Sequence, residues 1–240
     1  MNRLICVFVA ILLPVSASAA ISISVDGGMT GITSNSVIDI DHDSMSIWLG
    51  TGAGAAVTTD EGSTWITYGV GPLPSGEISA LAANNRGVWV ASSHSQISQG
   101  QSFPFGDGIS ITTDDGATWT VFSPEQSTYY GKLAYDLGVF DTIAYAACFY
   151  GGLIRTLDMG RTWQNLYATQ LNATNSDSID YATEIFGSLS NRYFAVRADT
   201  FGFPDTLSVW AGSAAGIYRF YFLSYFSENF SRDLSKWTLF

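Results

Sequence analysis

Apolar residues recur at every second position in short runs along this chain, and the runs come in groups of four. The first group is Ser36–Asp41, Ile47–Thr51, Ala55–Thr59 and Thr64–Tyr68. The second is Ile78–Ala83, Val88–Ser92, Ile109–Thr113 and Thr118–Phe122. The third is Lys132–Val139, Ile143–Ala147, Leu153–Leu157 and Thr162–Tyr167. Alternation over four to eight residues, bounded by Gly, Asp, Asn and Ser, predicts β-strands with one face buried. A fourth group is degraded. Arg192–Ala198, Ser208–Ser213 and Gly216–Phe220 follow the pattern, and Trp237 is expected on the last strand, displaced by an insertion at Phe222–Ser235. The second run of each group carries a small residue at a matched place: Gly50, Ala91, Ala146 and Ala211. Small side chains there let neighbouring sheets approach closely.

Between the third and fourth runs of each complete group stands one pattern, T-x-D-x-G-x-T-W. It reads Thr58, Asp60, Gly62 and Trp65 in the first group, and Thr112, Asp114, Gly116 and Trp119 in the second. In the third it reads Thr156, Asp158, Gly160 and Trp163. The physical reading is a tight turn between two strands. Asp accepts hydrogen bonds from the N–H groups just after it, and Gly takes a position with φ > 0. Thr favours the flanking strands, and Trp packs the outgoing strand on a neighbour. The three Asp residues lie 54 and 44 residues apart. A period of this size predicts the four-stranded blades of a propeller. The pattern resembles the Asp-box (BNR) repeat of sialidases, sortilin-type receptors, xyloglucanases and photosystem-assembly-factor-like propellers. The expected fold is therefore all-β: a β-propeller of four-stranded antiparallel blades, with about four blades visible, at roughly 34–70, 77–123, 131–168 and 191–240. The fourth unit lacks its turn motif, and the chain stops in strand-like sequence. We expect an incomplete ring whose open end invites self-association.

Residues 1–19 read as a secretory leader. Arg3 supplies the positive end, Leu4 to Leu13 the apolar stretch, and Ala17-Ser18-Ala19 the cleavage site. That stretch is too short to span a bilayer. The expectation is an exported protein, extracellular or periplasmic, with no membrane span once the leader is removed. Cys148 is then the remaining cysteine, so no internal disulfide is expected, and its strand position suits a small buried hydrophobe. The net charge of −11 repels phosphate backbones, which argues against nucleic acid as a partner.

In the propellers that the repeat resembles, connections between the second and third strands share one face with the links between blades. The Asp-box turn lies on the other. The long connections of this chain fall on the first face: His94–Asp107, Ser123–Gly131 and Thr169–Asn191. Long connections on a rigid scaffold concentrate binding residues. Phe103, Phe105, Tyr129 and Tyr130 are the expected ligand-binding aromatics, with Asp107 and Glu125 orienting the ligand. Such a set suits a glycan or an extracellular protein. The alternatives are a glycoside hydrolase of xyloglucanase or sialidase-like kind, and a structural repeat module of a larger surface protein. A hydrolase needs two carboxylates at defined separation. A sialidase needs an arginine triad, a Tyr–Glu pair and an Arg-Ile-Pro motif ahead of the first turn, but no Arg stands between Arg3 and Arg86. No catalytic residue is assigned. No cofactor and no metal are expected: Asp39-Ile40-Asp41-His42-Asp43 has the opening of a calcium loop but neither its Gly nor its closing Glu, and reads as a strand and turn. His42 and His94 have no second ligand at metal spacing.

Overall fold

A computed structural model describes residues 31–122, 133–149, 151–166, 192–200, 206–223 and 238–239. They form four antiparallel sheets of four strands, each in sequence order, with no helix among the described residues. The first holds β1 (Val37–His42), β2 (Ile47–Thr51), β3 (Gly54–Thr58) and β4 (Ile66–Tyr68). The second holds β5 (Glu77–Asn84), β6 (Gly87–Ser98), β7 (Gln101–Thr112) and β8 (Thr120–Phe122). The third holds β9 (Ala134–Phe140), β10 (Ile143–Cys148), β11 (Leu153–Thr156) and β12 (Gln164–Leu166). The fourth holds β13 (Tyr193–Asp199), β14 (Thr206–Ser213), β15 (Gly216–Leu223) and β16 (Thr238–Leu239). Four up-and-down sheets packed face to face around their first strands are blades of a β-propeller, and among the described residues the first and fourth do not close the ring.

The three turn motifs have one geometry. Asp60 Oδ1 accepts the Thr64 N–H at 2.8 Å, and its Oδ2 accepts the Thr64 hydroxyl at 2.7 Å. Thr58 Oγ1 accepts the Gly62 N–H at 2.9 Å, and Trp65 Nε1 donates to the Gly62 carbonyl at 3.1 Å. The same bonds recur around Asp114 and Asp158. One feature was not expected. The residue before each Gly also has positive φ: Glu61 at 57°, Asp115 at 55° and Met159 at 57°. Two successive positive φ values make a type I′ turn, whose twist matches the strands it joins.

Aromatic rings lock consecutive sheets together. Trp119 packs edge-on against Trp48 and Tyr68 of the first sheet, and Trp163 stacks on Phe122 of the second at 5.1 Å. The matched small residues need a correction. By strand register, Gly50 faces Asp39 and Ala91 faces Ala80, so their counterparts are Ala147 and Gly212. Ala146 and Ala211 sit one position earlier and point at the preceding sheet, because side-chain direction alternates along a strand. The close approach itself is real at Gly50, where a Cβ would lie 2.7 Å from Ile78 Cγ2 of the next sheet.

Candidate functional site

The expected loop His94–Asp107 is not a loop. β6 and β7 are both 12-residue strands and continue past the sheet as a ribbon that turns at Gln99-Gly100. Pairing to β5 ends at Ser93, so residues 94–105 pair among the described strands only with each other. The run is mostly polar, with Ile97, Phe103 and Phe105 its large apolar residues, so its composition and length read as a connection rather than as paired strands. Phe103 and Phe105 lie on β7 opposite Gln96 and His94. Asp107 is the extra residue of a bulge, and its Oδ1 lies 2.7 Å from His94 Nδ1. The His94 ring stacks on Phe105 at 5.6 Å and 17°. Three expected site residues, Phe103, Phe105 and Asp107, are thus brought onto β7, while Glu125, Tyr129 and Tyr130 lie outside the described residues, as do the leader and Trp237.

A second aromatic group stands on the same face, and sequence reasoning missed it. Each inner strand has one irregular residue near its start: Ile38, Ser79, Tyr135 and Phe194. Bulges redirect side chains. In the third and fourth sheets the redirected residues are aromatic, and Phe149, just past β10, joins them. The centroids of Tyr135, Phe149 and Phe194 lie 5.6–5.8 Å apart, with the Arg192 guanidinium 5.4 Å from the Phe149 ring centre. Tyr135 remains 41% exposed and Phe194 45%. The only sequence signal was an aromatic breaking the alternation at the same point in both strands.

The inner strands enclose a cavity of about 700 Å³, lined among others by Asp39, Asp41, Asp136 and Arg197. These acids are engaged in holding sheets together. Asp39 Oδ2 accepts the Leu81 N–H, Asp41 Oδ2 the Ala83 N–H and Asp136 Oδ2 the Val196 N–H, each at 2.8 Å. Burial pushes the Asp39 and Asp136 carboxyls above the ordinary range, against the pull of those N–H bonds. Asp43 caps the turn after β1, accepting from the Met45 and Ser46 N–H groups. Among the described residues no three His, Cys, Asp or Glu side chains converge where they could hold a metal ion. No helix among them is long and apolar enough to cross a membrane.

No protein-family model matches the chain, and no curated protein matches it. Solved structures do resemble it. YCF48 from Cyanidioschyzon merolae aligns at TM-score 0.47 and 16% identity, over 85% of this chain and 55% of that one. An ancestral GH74 enzyme aligns at TM-score 0.47 and 15% identity, over 88% of this chain and 34% of that one. The extracellular domain of a putative hybrid two-component system from B. thetaiotaomicron aligns at TM-score 0.36 and 12% identity, over 76% and 26%. The chain thus spans about half the length of the first and a third of the second.

Proposed function

We propose that this chain is an exported, non-catalytic recognition module of the Asp-box kind. It binds a glycan or an extracellular protein on the face that carries the β6–β7 ribbon and the bulge aromatics. The observation that carries this reading is the group Tyr135, Phe149 and Phe194. Large rings held in mutual contact, yet two of them over 40% exposed, are what a recognition surface keeps and a packing core does not. Arg192 over Phe149 adds a fixed positive charge beside the rings. The His94–Asp107 pair and Gln96 supply polar contacts on the neighbouring ribbon. A catalytic acid pair at the cavity is disfavoured, since Asp39, Asp41 and Asp136 are committed to N–H groups of the next sheet.

The test is a glycan and peptide array probed with the exported protein and with a Tyr135→Ala/Phe194→Ala variant, alongside a panel of glycosidase substrates. Binding by the parent and its loss in the folded variant support the reading. Turnover of any glycoside, or binding that the variant retains, overturns it.

A further inference from the structure

The two edges of the β6–β7 ribbon differ in what they offer. In an antiparallel ladder the N–H and C=O of one residue point to the same side, and the side alternates along the strand. Ser93 points its carbonyl away from β7, where it accepts the Ser75 hydroxyl at 2.8 Å. The ribbon's turn gives the same parity. Gln99 and Gly100 have φ of 51° and 77°, so Ser98 closes the turn on Gln101 and points towards β7. Counting from either end, His94 and Gln96 direct their backbone groups at β7, and Ser95 and Ile97 direct theirs outward. Across the ribbon the outward residues of β7 are Pro104 and Ser102, which pair with Ser95 and Ile97.

Proteins blunt an exposed edge with proline, charge or a bulge. The β7 edge has two of these: Pro104, which has no N–H, and the bulge at Asp107. The β6 edge has none of them. From Ser93 to Ser98 it carries no Pro, Lys, Arg, Asp or Glu, and the extra residue of the bulge lies on the other strand. Residues 94–97 are exposed, so neither face of the strand is covered there, and Ile97 is 76% exposed. Among the described strands nothing pairs with Ser95 or Ile97 on this side, because pairing of β6 with β5 ends at Ser93. A two-stranded ribbon is marginal in water by itself, and a third strand here finds the N–H and the C=O of both Ser95 and Ile97 ready for its ladder.

We propose that this edge takes an extended peptide of a protein partner, added as a third strand antiparallel to β6 and in line with β5. The proposal rests on the reading above that this face is the recognition face. It selects a protein rather than a glycan, since a sugar has no alternating N–H and C=O groups to match the edge. A second copy of the chain is a poorer occupant. The net charge of −11 opposes self-association, and so short an edge falls below the roughly 1,200–2,000 Å² that a stable interface buries. The same charge, with Glu77 exposed at the head of β5, favours a peptide that carries Lys or Arg. Ile97 favours an apolar residue directly opposite it, because cross-strand neighbours share a face.

The test is an array of peptides of about six residues, the usual strand length, alternating apolar residues with Thr or Lys. They are printed beside glycans and probed with the exported protein. Peptides bind, and fluorescence anisotropy gives their Kd. Ser95→Pro, which removes an outward N–H and leaves the ladder to β7 intact, weakens binding about tenfold or more. Ser102→Pro makes the same change on the other edge and leaves binding as it was. Thermal melts of both variants match the parent. Two further measurements use the unaltered protein. N-methylation of the peptide is tolerated at every second residue and abolishes binding at the residues between. Hydrogen exchange followed by NMR finds the Ser95 and Ile97 amides open in the free protein and protected with peptide, while those of His94 and Gln96 are protected in both. Peptide binding that ignores Ser95→Pro, or that lacks the alternation, overturns the proposal and leaves the recognition reading standing. So does binding of glycans alone. Binding of neither class overturns both. Protection of the Ser95 and Ile97 amides without peptide also overturns it, by showing that the chain itself or a second copy covers the edge.

Discussion

Asp39 reaches across the first seam and accepts the backbone N–H of Leu81 at 2.8 Å. Asp136 and Val196 repeat the bond at the third seam, at the equivalent register. At the second seam the corresponding residue is Ala80, and the sheets are tied instead by Asn84 and Arg86 to Asp141. The seam carboxylates and the turn carboxylates sit on opposite sides of their ordinary pKa. Burial raises Asp39 and Asp136. The Thr64 and Thr118 hydroxyls and N–H groups lower Asp60 and Asp114.

A pH experiment separates the two classes. A raised folded-state pKa gives a stabilising contribution that is complete below the unfolded value of about 3.9 and is lost as pH rises through the folded value. A lowered one gives a contribution present above about 3.9 and lost as pH falls through the folded value. Asp39→Asn, whose amide oxygen still accepts the Leu81 N–H, should therefore gain melting temperature relative to the parent as pH rises from acid towards neutral. Asp114→Asn should lose melting temperature relative to the parent over the same interval. Parallel profiles for the two variants would mean that the carboxylate charges do not titrate as their surroundings dictate.

The turn glycines should rank by what stands beside them. All three have φ between 78° and 87°, so any side chain costs about 1–2 kcal/mol from the backbone alone. Gly62→Ala meets only Trp65 and should stay near that figure. Gly116→Ala and Gly160→Ala must also displace Tyr68 or Ile111 from a seam, so both should cost more. Urea unfolding of the three variants gives the order directly, and an equal loss at all three sites would remove the seam from the explanation.

Trp89 and Trp210, which strand register makes equivalent in the second and fourth sheets, allow a second ranking. Trp89 is buried between two sheets, and Trp89→Ala should cost about 3–5 kcal/mol through the cavity it leaves. Trp210, although equivalent by register, is partly exposed and lies under the Arg219 guanidinium at 4.5 Å. Trp210→Ala should cost less than Trp89→Ala, because part of the Trp210 ring already faces solvent. Chemical denaturation of the two variants gives the order.

How much of this was legible in the sequence depended on whether local chemistry or long-range register decided it. The strands, their grouping and the three Asp turns were readable because Thr, Asp and Gly act within five residues of one another. Runs such as Ile47–Thr51 matched β2 to the residue for the same reason. The paired positive φ was not readable, since Glu61, Asp115 and Met159 share no side-chain chemistry that favours it. Ala146 and Ala211 were aligned one place early because each is followed by another small residue, Ala147 and Gly212, and only cross-strand pairing decides which of the two matches Gly50 and Ala91. The bulges at Tyr135 and Phe194 hid the aromatic group. Tyr135 and Phe194 lie 59 positions apart and meet only once their sheets pack, with Phe149 between them.

The last prediction concerns the ribbon and the bulge aromatics together. Residues 94–105 add no described pairing to the sheet, because pairing of β6 with β5 ends at Ser93 and β8 meets β7 only at Ile109–Ile111. Joining Ser93 to Gly106 by an Asn-Gly turn should therefore leave the melting temperature within a few degrees of the parent, as a shorter connection lowers closure entropy only slightly. That variant removes Phe103, Phe105 and His94 but keeps Tyr135, Phe149 and Phe194. If both groups form one recognition surface, the shortened protein should bind its array ligand more weakly, and the Tyr135→Ala/Phe194→Ala variant should lose more. The combination should lose less than the sum of the two, because residues sharing a ligand are coupled. Isothermal titration of the four proteins measures this. Strictly additive losses would mean two separate contacts, and a ribbon deletion without effect would leave the bulge aromatics as the site by themselves.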